Sequence, residues 1–124
     1  MYITRASSDD AEPLHDFVEG VVCPRTLVGA EQSDELRVQF AQFDIGGRNR
    51  PHTHGFEQAL LITEGEGIVA TEDTEHHVTV GDLVLVSAGE RHWHGATDTT
   101  SMSHLAFGIP GSSDFDGVAY GATE

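Results

Sequence analysis

The feature that most constrains this chain is the regular interruption of short apolar runs by glycine. LRVQFAQFDI (36–45) ends at Gly46-Gly47, QALLITEG fills 58–65, and GIVATED fills 67–73. HHVTV leads to Gly81-Asp82, LVLVS follows at 83–87, and SMSHLAFGI closes the series at 101–109. Turn signals recur about every ten residues, and no amphipathic 3.6-residue period links the runs. The pattern predicts an all-β sandwich or barrel. Within it, Gly65-Glu66-Gly67 predicts a hairpin turn between two strands. In the first run Leu36, Val38 and Phe40 lie on one side and Ala41, Phe43 and Ile45 on the other, which predicts a phase slip or bulge near 40–41. Phe40, Phe43, Leu61, Val84 and Val86 are expected in the core or as an apolar lining.

The 124 residues fit one domain. Residues 1–24 are polar and acidic, with Pro13 and Pro24, and predict an irregular or partly helical lead-in. Residues 25–110 are the expected barrel. The Gly-, Ser- and Asp-rich stretch 111–124 is expected either to be mobile or to dock on a neighbouring subunit. The charge is lopsided: 21 acids face six bases, all arginine, for a net charge of -15. That balance excludes nucleic acid and anionic membrane surfaces as partners. The acids are scattered and so coat the folded surface. An ordinary acidic cytoplasmic protein would show this. So would a protein from a high-salt cytoplasm, where molar salt shortens the Debye length to roughly 3 Å; the absence of lysine favours the second. Cys23 is alone and forms no intrachain disulfide. The N-terminus has neither a basic start nor an apolar run, and no apolar stretch approaches the ~20 residues of a membrane span. A soluble, cytoplasmic protein is expected.

Eight histidines carry most of the chemical signal: His15, His52, His54, His76, His77, His92, His94 and His104. In a strand, residues two apart point the same way. His52 and His54 therefore share a face, as do His92 and His94, and His104 lies mid-strand facing inward. Gln58 has the parity of His54; its neighbour Glu57 has the opposite parity and should point out. Imidazole nitrogens converging on one point suit Zn, Fe, Ni or Cu, and oxygen donors suit harder ions such as Mn. His15, His76 and His77 are expected at the surface. Trp93 and Phe56 are expected as barrel or rim packing. Arg48, Arg50 and Arg91 are expected as salt-bridge partners, with Arg48 or Arg50 as an alternative guide for an anionic substrate.

These positions resemble the two motifs of the cupins, G-x5-H-x-H-x3/4-E-x6-G and G-x5/7-P-x-G-x2-H-x3-N. Gly46, His52, His54 and Gly65 fit the first, and its Glu position, set by Gly65, falls on Gln58. Gly81, Gly89 and His92 fit the second, with Ser87 at the Pro position and Ala96 at the Asn position. The resemblance covers roughly residues 35–109. It implies a cupin (jelly-roll) barrel holding one divalent metal ion through His52, His54, Gln58 and His92. Gln in place of Glu, together with the segment His92-Trp93-His94-Gly95-Ala96 and His104, resembles a narrower group, the small cupins related to carboxymuconolactone-decarboxylase-associated proteins. Some of these are manganese-dependent hydroxynitrile lyases. The stretch HTHGFEQ departs from that group, because it lacks the Pro-x-Gly that follows the second histidine there.

Three imidazoles and an amide leave both positive charges of a divalent ion uncompensated, which makes the ion a strong electrophile toward a carbonyl, hydroxyl or anion. His94 and His104 are the candidate catalytic bases, with structural support of a ligand as the competing role. The expected function is a metal-dependent lyase or isomerase acting on a small hydroxy or oxo compound, with cyanohydrin cleavage as its sharpest form, manganese as the expected ion and iron, zinc or nickel as alternatives. An iron or nickel dioxygenase and a non-enzymatic binding cupin are the alternatives. Family resemblance also implies a homodimer.

Overall fold

The apolar runs form strands in a computed structural model of the chain, which describes residues 1–120. In chain order the strands are β1 (Val18–Glu19), β2 (Val22–Val28), β3 (Arg37–Phe43), β4 (Arg48–Asn49), β5 (Thr53–His54) and β6 (Gln58–Ala70). They continue as β7 (Glu75–Thr79), β8 (Leu83–Val86), β9 (Trp93–Ala96), β10 (Met102–Gly108), β11 (Ser113–Phe115) and β12 (Val118–Tyr120). No helix occurs among the described residues, as the absence of a helical period predicts. One sheet runs β1-β4-β9-β6-β10-β3-β2, with β7 and β8 also pairing β6. A smaller sheet runs β12-β11-β5.

The sheet turns on β6. Its first half pairs β10 on one side and β8 on the other; its second half pairs β7 and β9. The hairpin expected at Gly65-Glu66-Gly67 is therefore not formed, and 58–70 is one 13-residue strand. These glycines serve a different need. Gly65 has φ 69°, and the Ser101 carbonyl occupies the place its Cβ would take. Gly67 lies against the Gly95 carbonyl and Met102. Bare backbone lets β6 bend and lets neighbouring segments close in.

The slip expected at 40–41 is also resolved differently. The pairing of β3 with β10 is continuous from Arg37↔Gly108 to Phe43↔Met102, so β3 carries no bulge against that strand. Val38 and Phe40 are buried on one face, clustered with Leu27. Ala41 and Phe43 are buried on the other, in the main core with Val22, Leu60, Ile62, Val69, Val86 and Met102. Burial of both faces imitates a change of phase. The register shifts lie elsewhere, between Thr26 and Val28 and at Ser103/His104 opposite β6.

Both ends of the chain are more ordered than their composition implies. The lead-in contains β1 and the start of β2, and no helix. Leu14 N–H donates to the Val22 carbonyl at 2.9 Å, and Tyr2 Oη donates to the Leu27 carbonyl at 2.6 Å. Beyond Pro110, β11 and β12 form a hairpin paired to this chain's own β5; residues 121–124 of the expected tail lie outside the described residues.

Gly65→Ala should destabilise the fold by about 1–3 kcal/mol, through the strained φ and the Ser101 carbonyl together. Urea unfolding measures it; an unchanged midpoint would mean that the bend of β6 does not depend on this glycine.

Candidate metal centre

The site is built from the backbone outward. His52 and His92 form an isolated antiparallel bridge. His52 N–H donates to the His92 carbonyl at 2.9 Å, and His92 N–H donates back at 3.0 Å. Residues paired this way project side chains to one face. His54, two residues on, shares that face. The ligand atoms of His52, His54 and His92 all lie within 4.8 Å of one another, and all three residues are buried.

Hydrogen bonds set which nitrogen faces the cluster. His52 Nδ1 lies 2.7 Å from the Arg50 carbonyl and His92 Nδ1 lies 2.9 Å from the Glu90 carbonyl. A carbonyl only accepts, so both Nδ1 atoms carry the proton and both Nε2 atoms present a bare lone pair. His54 Nδ1 lies 2.8 Å from Ser113 Oγ. The Nε2 atoms of His54 and His92 are buried and make no hydrogen bond. Buried polar atoms normally find a partner, and a divalent cation would satisfy both at once. Gln58 Oε1 is likewise buried and unbonded, and its side chain lines the same cavity as His52 and His54. Glu57 is exposed.

A second pair of imidazoles stands beside the first group. His94 on β9 and His104 on β10 are buried, with His104 Nε2 2.9 Å from His94 Nδ1. Asn49 holds His94 from the other side: its Oδ1 accepts from His94 N–H at 2.9 Å, and its Nδ2 lies 3.2 Å from the ring nitrogens. Phe43 packs against both rings, with centroids at 5.9 and 5.1 Å. All five histidines surround the β-barrel interior, and His52, His54, Gln58, His94 and His104 line one cavity of about 120 Å³ with Leu14, Val22, Phe43 and Phe115. A wider vestibule opens beside it past Phe56, Gln58 and Phe107.

The remaining candidates fall outside the cluster. His15, His76 and His77 are exposed, as expected. Arg48 pairs with Glu19 at 2.6 Å and covers the Trp93 ring at 4.6 Å, while Arg91 pairs with Glu72 and Asp116. Arg50 enters the site through its carbonyl, not its charge. Phe56 stacks on the His54 ring at 5.0 Å and so walls the site. Three contributors escaped the reading of the sequence: Asn49, Ser113 and Phe115. Asn49 sits between two arginines and Ser113 in a polar tail, so neither carried a local signal.

Burial governs the protonation of the cluster. Desolvation pushes His52 down to about 3, His54 to about 4 and His104 to about 4, and it also lowers His92 and His94. The proximity of the other imidazoles adds to the shift at His52, His54 and His94, and the Gln58 side chain opposes it at His54. Every ring is therefore neutral at pH 7, as ligands and proton acceptors must be.

The folded values lie below the ordinary 6.5, so between 6.5 and about 4 the unfolded chain binds more protons than the folded one. Stability present above pH 6.5 is lost as pH falls through that window. The slope is on the order of 1.4 kcal/mol per pH unit for each histidine involved. Thermal unfolding of metal-free protein should show the midpoint dropping across this range; a flat profile would contradict burial of the neutral rings.

Comparison with known proteins places this geometry. The model of the cupin domain matches residues 39–108, more than half of the chain. Over 65 residues the chain is 45% identical to an (R)-mandelonitrile lyase from Granulicella tundricola, a match that spans 52% of this chain and 50% of that one. It is 38% identical over 60 residues to an acireductone dioxygenase from Parasynechococcus marenigrum, spanning 45% of this chain and 32% of that one. The chain thus spans half or less of the length of these relatives. A cupin-like protein from Thermotoga maritima superposes with a TM-score of 0.72 at 27% identity, over 76% of this chain and 72% of that chain. The polyketide cyclase RemF from Streptomyces resistomycificus also gives 0.72, at 16% identity over 87% and 80%, a likeness of fold alone. With the sheet closing around a buried histidine cluster and the domain model spanning both histidine motifs, this chain belongs to the cupin family.

Proposed function

We propose that this cupin is a metal-dependent lyase acting on a small hydroxy or oxo compound, with cleavage of an aromatic cyanohydrin as its sharpest form. One observation carries the reading: two of the three metal-competent imidazoles, His52 and His54, and a separate hydrogen-bonded imidazole pair line the same small, largely apolar cavity. The likeness to the mandelonitrile lyase supports it.

In this proposal His52, His54, His92 and Gln58 hold one divalent ion, manganese by preference. Held by these four neutral donors, such an ion would supply Lewis-acid polarisation of a substrate oxygen. The chain's own residues do the rest. Phe43, Val22, Leu14 and Phe115 exclude water and seat an apolar ring. His94 or His104, neutral at pH 7, takes the hydroxyl proton, and the hydrogen bond within the pair spreads the new charge. The carbon–carbon bond to the nitrile breaks, the oxygen-bearing carbon becomes a carbonyl, and the departing cyanide receives the proton. Asn49 holds the His94 main chain through its Oδ1 and faces the ring through its Nδ2.

The likeness to acireductone dioxygenases supports oxygen activation as a second reading. Oxygen uptake by iron-loaded protein without cyanohydrin cleavage would replace the first reading by that one. The proposal includes a homodimer in the cytoplasm, with no nucleic-acid or membrane partner. Exposed Leu83 and Leu85 on β8 support an apolar contact between copies, and light scattering giving the mass of one chain would oppose it. No helix of the described residues is long and apolar enough to cross a membrane.

Elemental analysis of purified protein, then release of benzaldehyde from mandelonitrile by the manganese-loaded form, tests the reading. His94→Ala and His104→Ala should each lower kcat by about 10²–10⁴-fold with metal retained. Gln58→Ala should weaken metal binding, while Glu57→Gln should spare it. Full activity in both histidine variants would remove the pair from the chemistry, and metal loss in Glu57→Gln would assign the acid as the ligand.

A further inference from the structure

The metal centre has a component outside the segment that matches the cupin domain. Strand β11 lies beyond residue 108 and pairs with β5 so that Ser113 stands opposite His54. Ser113 Oγ is 2.8 Å from His54 Nδ1. Two residues on, the Phe115 ring covers His52 at 4.7 Å and stacks on Phe17 at 4.5 Å. Asp116 ties the same hairpin to Arg91, next to His92. One short segment thus touches one candidate ligand ring by hydrogen bond, a second by ring contact, and the neighbour of the third.

We infer that Ser113 is a positioning residue of the metal centre, and that the β11–β12 hairpin is a strap whose docking and metal occupancy stabilise each other. The inference rests on the metal-centre reading above. The contrast among the three imidazoles carries it. His52 and His92 give their Nδ1 protons to backbone carbonyls two residues back, so those rings are set by local chain geometry. His54 depends on a side chain 59 residues away. Once Nε2 of His54 serves as a ligand, its Nδ1 must carry the proton, and among the described groups Ser113 Oγ is the acceptor in place. Without the hydroxyl, a buried donor is left unmet whenever the metal is bound. Metal binding then favours the docked strap, and the docked strap favours metal binding by the same factor.

The test uses the full chain. Manganese affinity is measured by chelator competition for wild type, Ser113→Ala and Ser113→Thr. The His54 Nδ1–H resonance is followed by NMR in the diamagnetic zinc-loaded protein. Ser113→Ala should weaken manganese binding about 10–100-fold and lose the protected His54 resonance, and Ser113→Thr should restore both. Hydrogen exchange of the β11 amides should slow on metal addition in wild type and much less in Ser113→Ala. A Ser113→Ala protein that is less stable without metal but binds manganese like wild type would reduce the contact to a structural one and overturn the inference alone. Wild type that binds neither manganese nor zinc would overturn the metal-centre reading, and this inference with it.

Discussion

The reciprocal backbone bridge between His52 and His92 is the constraint on which the rest of the site depends. It joins two segments 40 residues apart through two hydrogen bonds that involve no side chain of either histidine. Its effect on the side chains is nonetheless decisive: both rings must leave the same face of the same ladder. His54 follows by the two-residue repeat. The carbonyls of Arg50 and Glu90, each two residues before a ring, then fix the tautomers. For His52 and His92, ring position and ring protonation thus both come from the main chain, whereas His54 has a side-chain partner, Ser113 Oγ.

The electrostatic character of the centre is set against that of the whole molecule. The surface bears a large excess of carboxylates, yet the cavity beside the cluster is lined by imidazoles, amides, a hydroxyl, aromatic rings and aliphatic side chains, with the exposed Asp16 as its one carboxylate. The acids nearest in sequence, Glu57 and Glu90, are exposed, and Glu90 contributes only its carbonyl. A cation held there would face weak compensation at short range, and distant surface charge is screened by solvent and salt. The centre is a local exception to an anionic protein, and this is the physical ground for treating it as electrophilic.

Much of this was legible in the chain. Regular glycine punctuation predicts strands, and two-residue spacing places His52 beside His54 and Gln58 on the side opposite Glu57. The pairing of His94 with His104 was not legible, because it depends on β9 and β10 both bonding to β6 at a particular register. Gly65 and Gly67 misled for a definite reason. Glycine in a strand and glycine in a turn look identical in sequence, and only the close approach of the Ser101 and Gly95 carbonyls separates them. The alternation in β3 misled likewise: a strand covered on both faces has no single buried parity. Ser113 lay in a stretch whose composition resembles linker, and its role exists only through pairing with β5.

The unbroken length of β6 bears on how the molecule comes to be assembled. One strand must be flanked by β10 and β8 along its first half and by β7 and β9 along its second, and all four of these partners are synthesised after it. Apart from the local hairpin with β7, its pairings are non-local, so loop closure must precede most of the favourable contacts, and folding belongs to the slow regime of high contact order. The histidine cluster inherits that order of events. His52 and His54 meet His92 only when residues on both sides of β6 have been brought together. A competent cluster is thus a late product of folding, not a seed for it, and an ion bound at these histidines would be captured only once the barrel is complete.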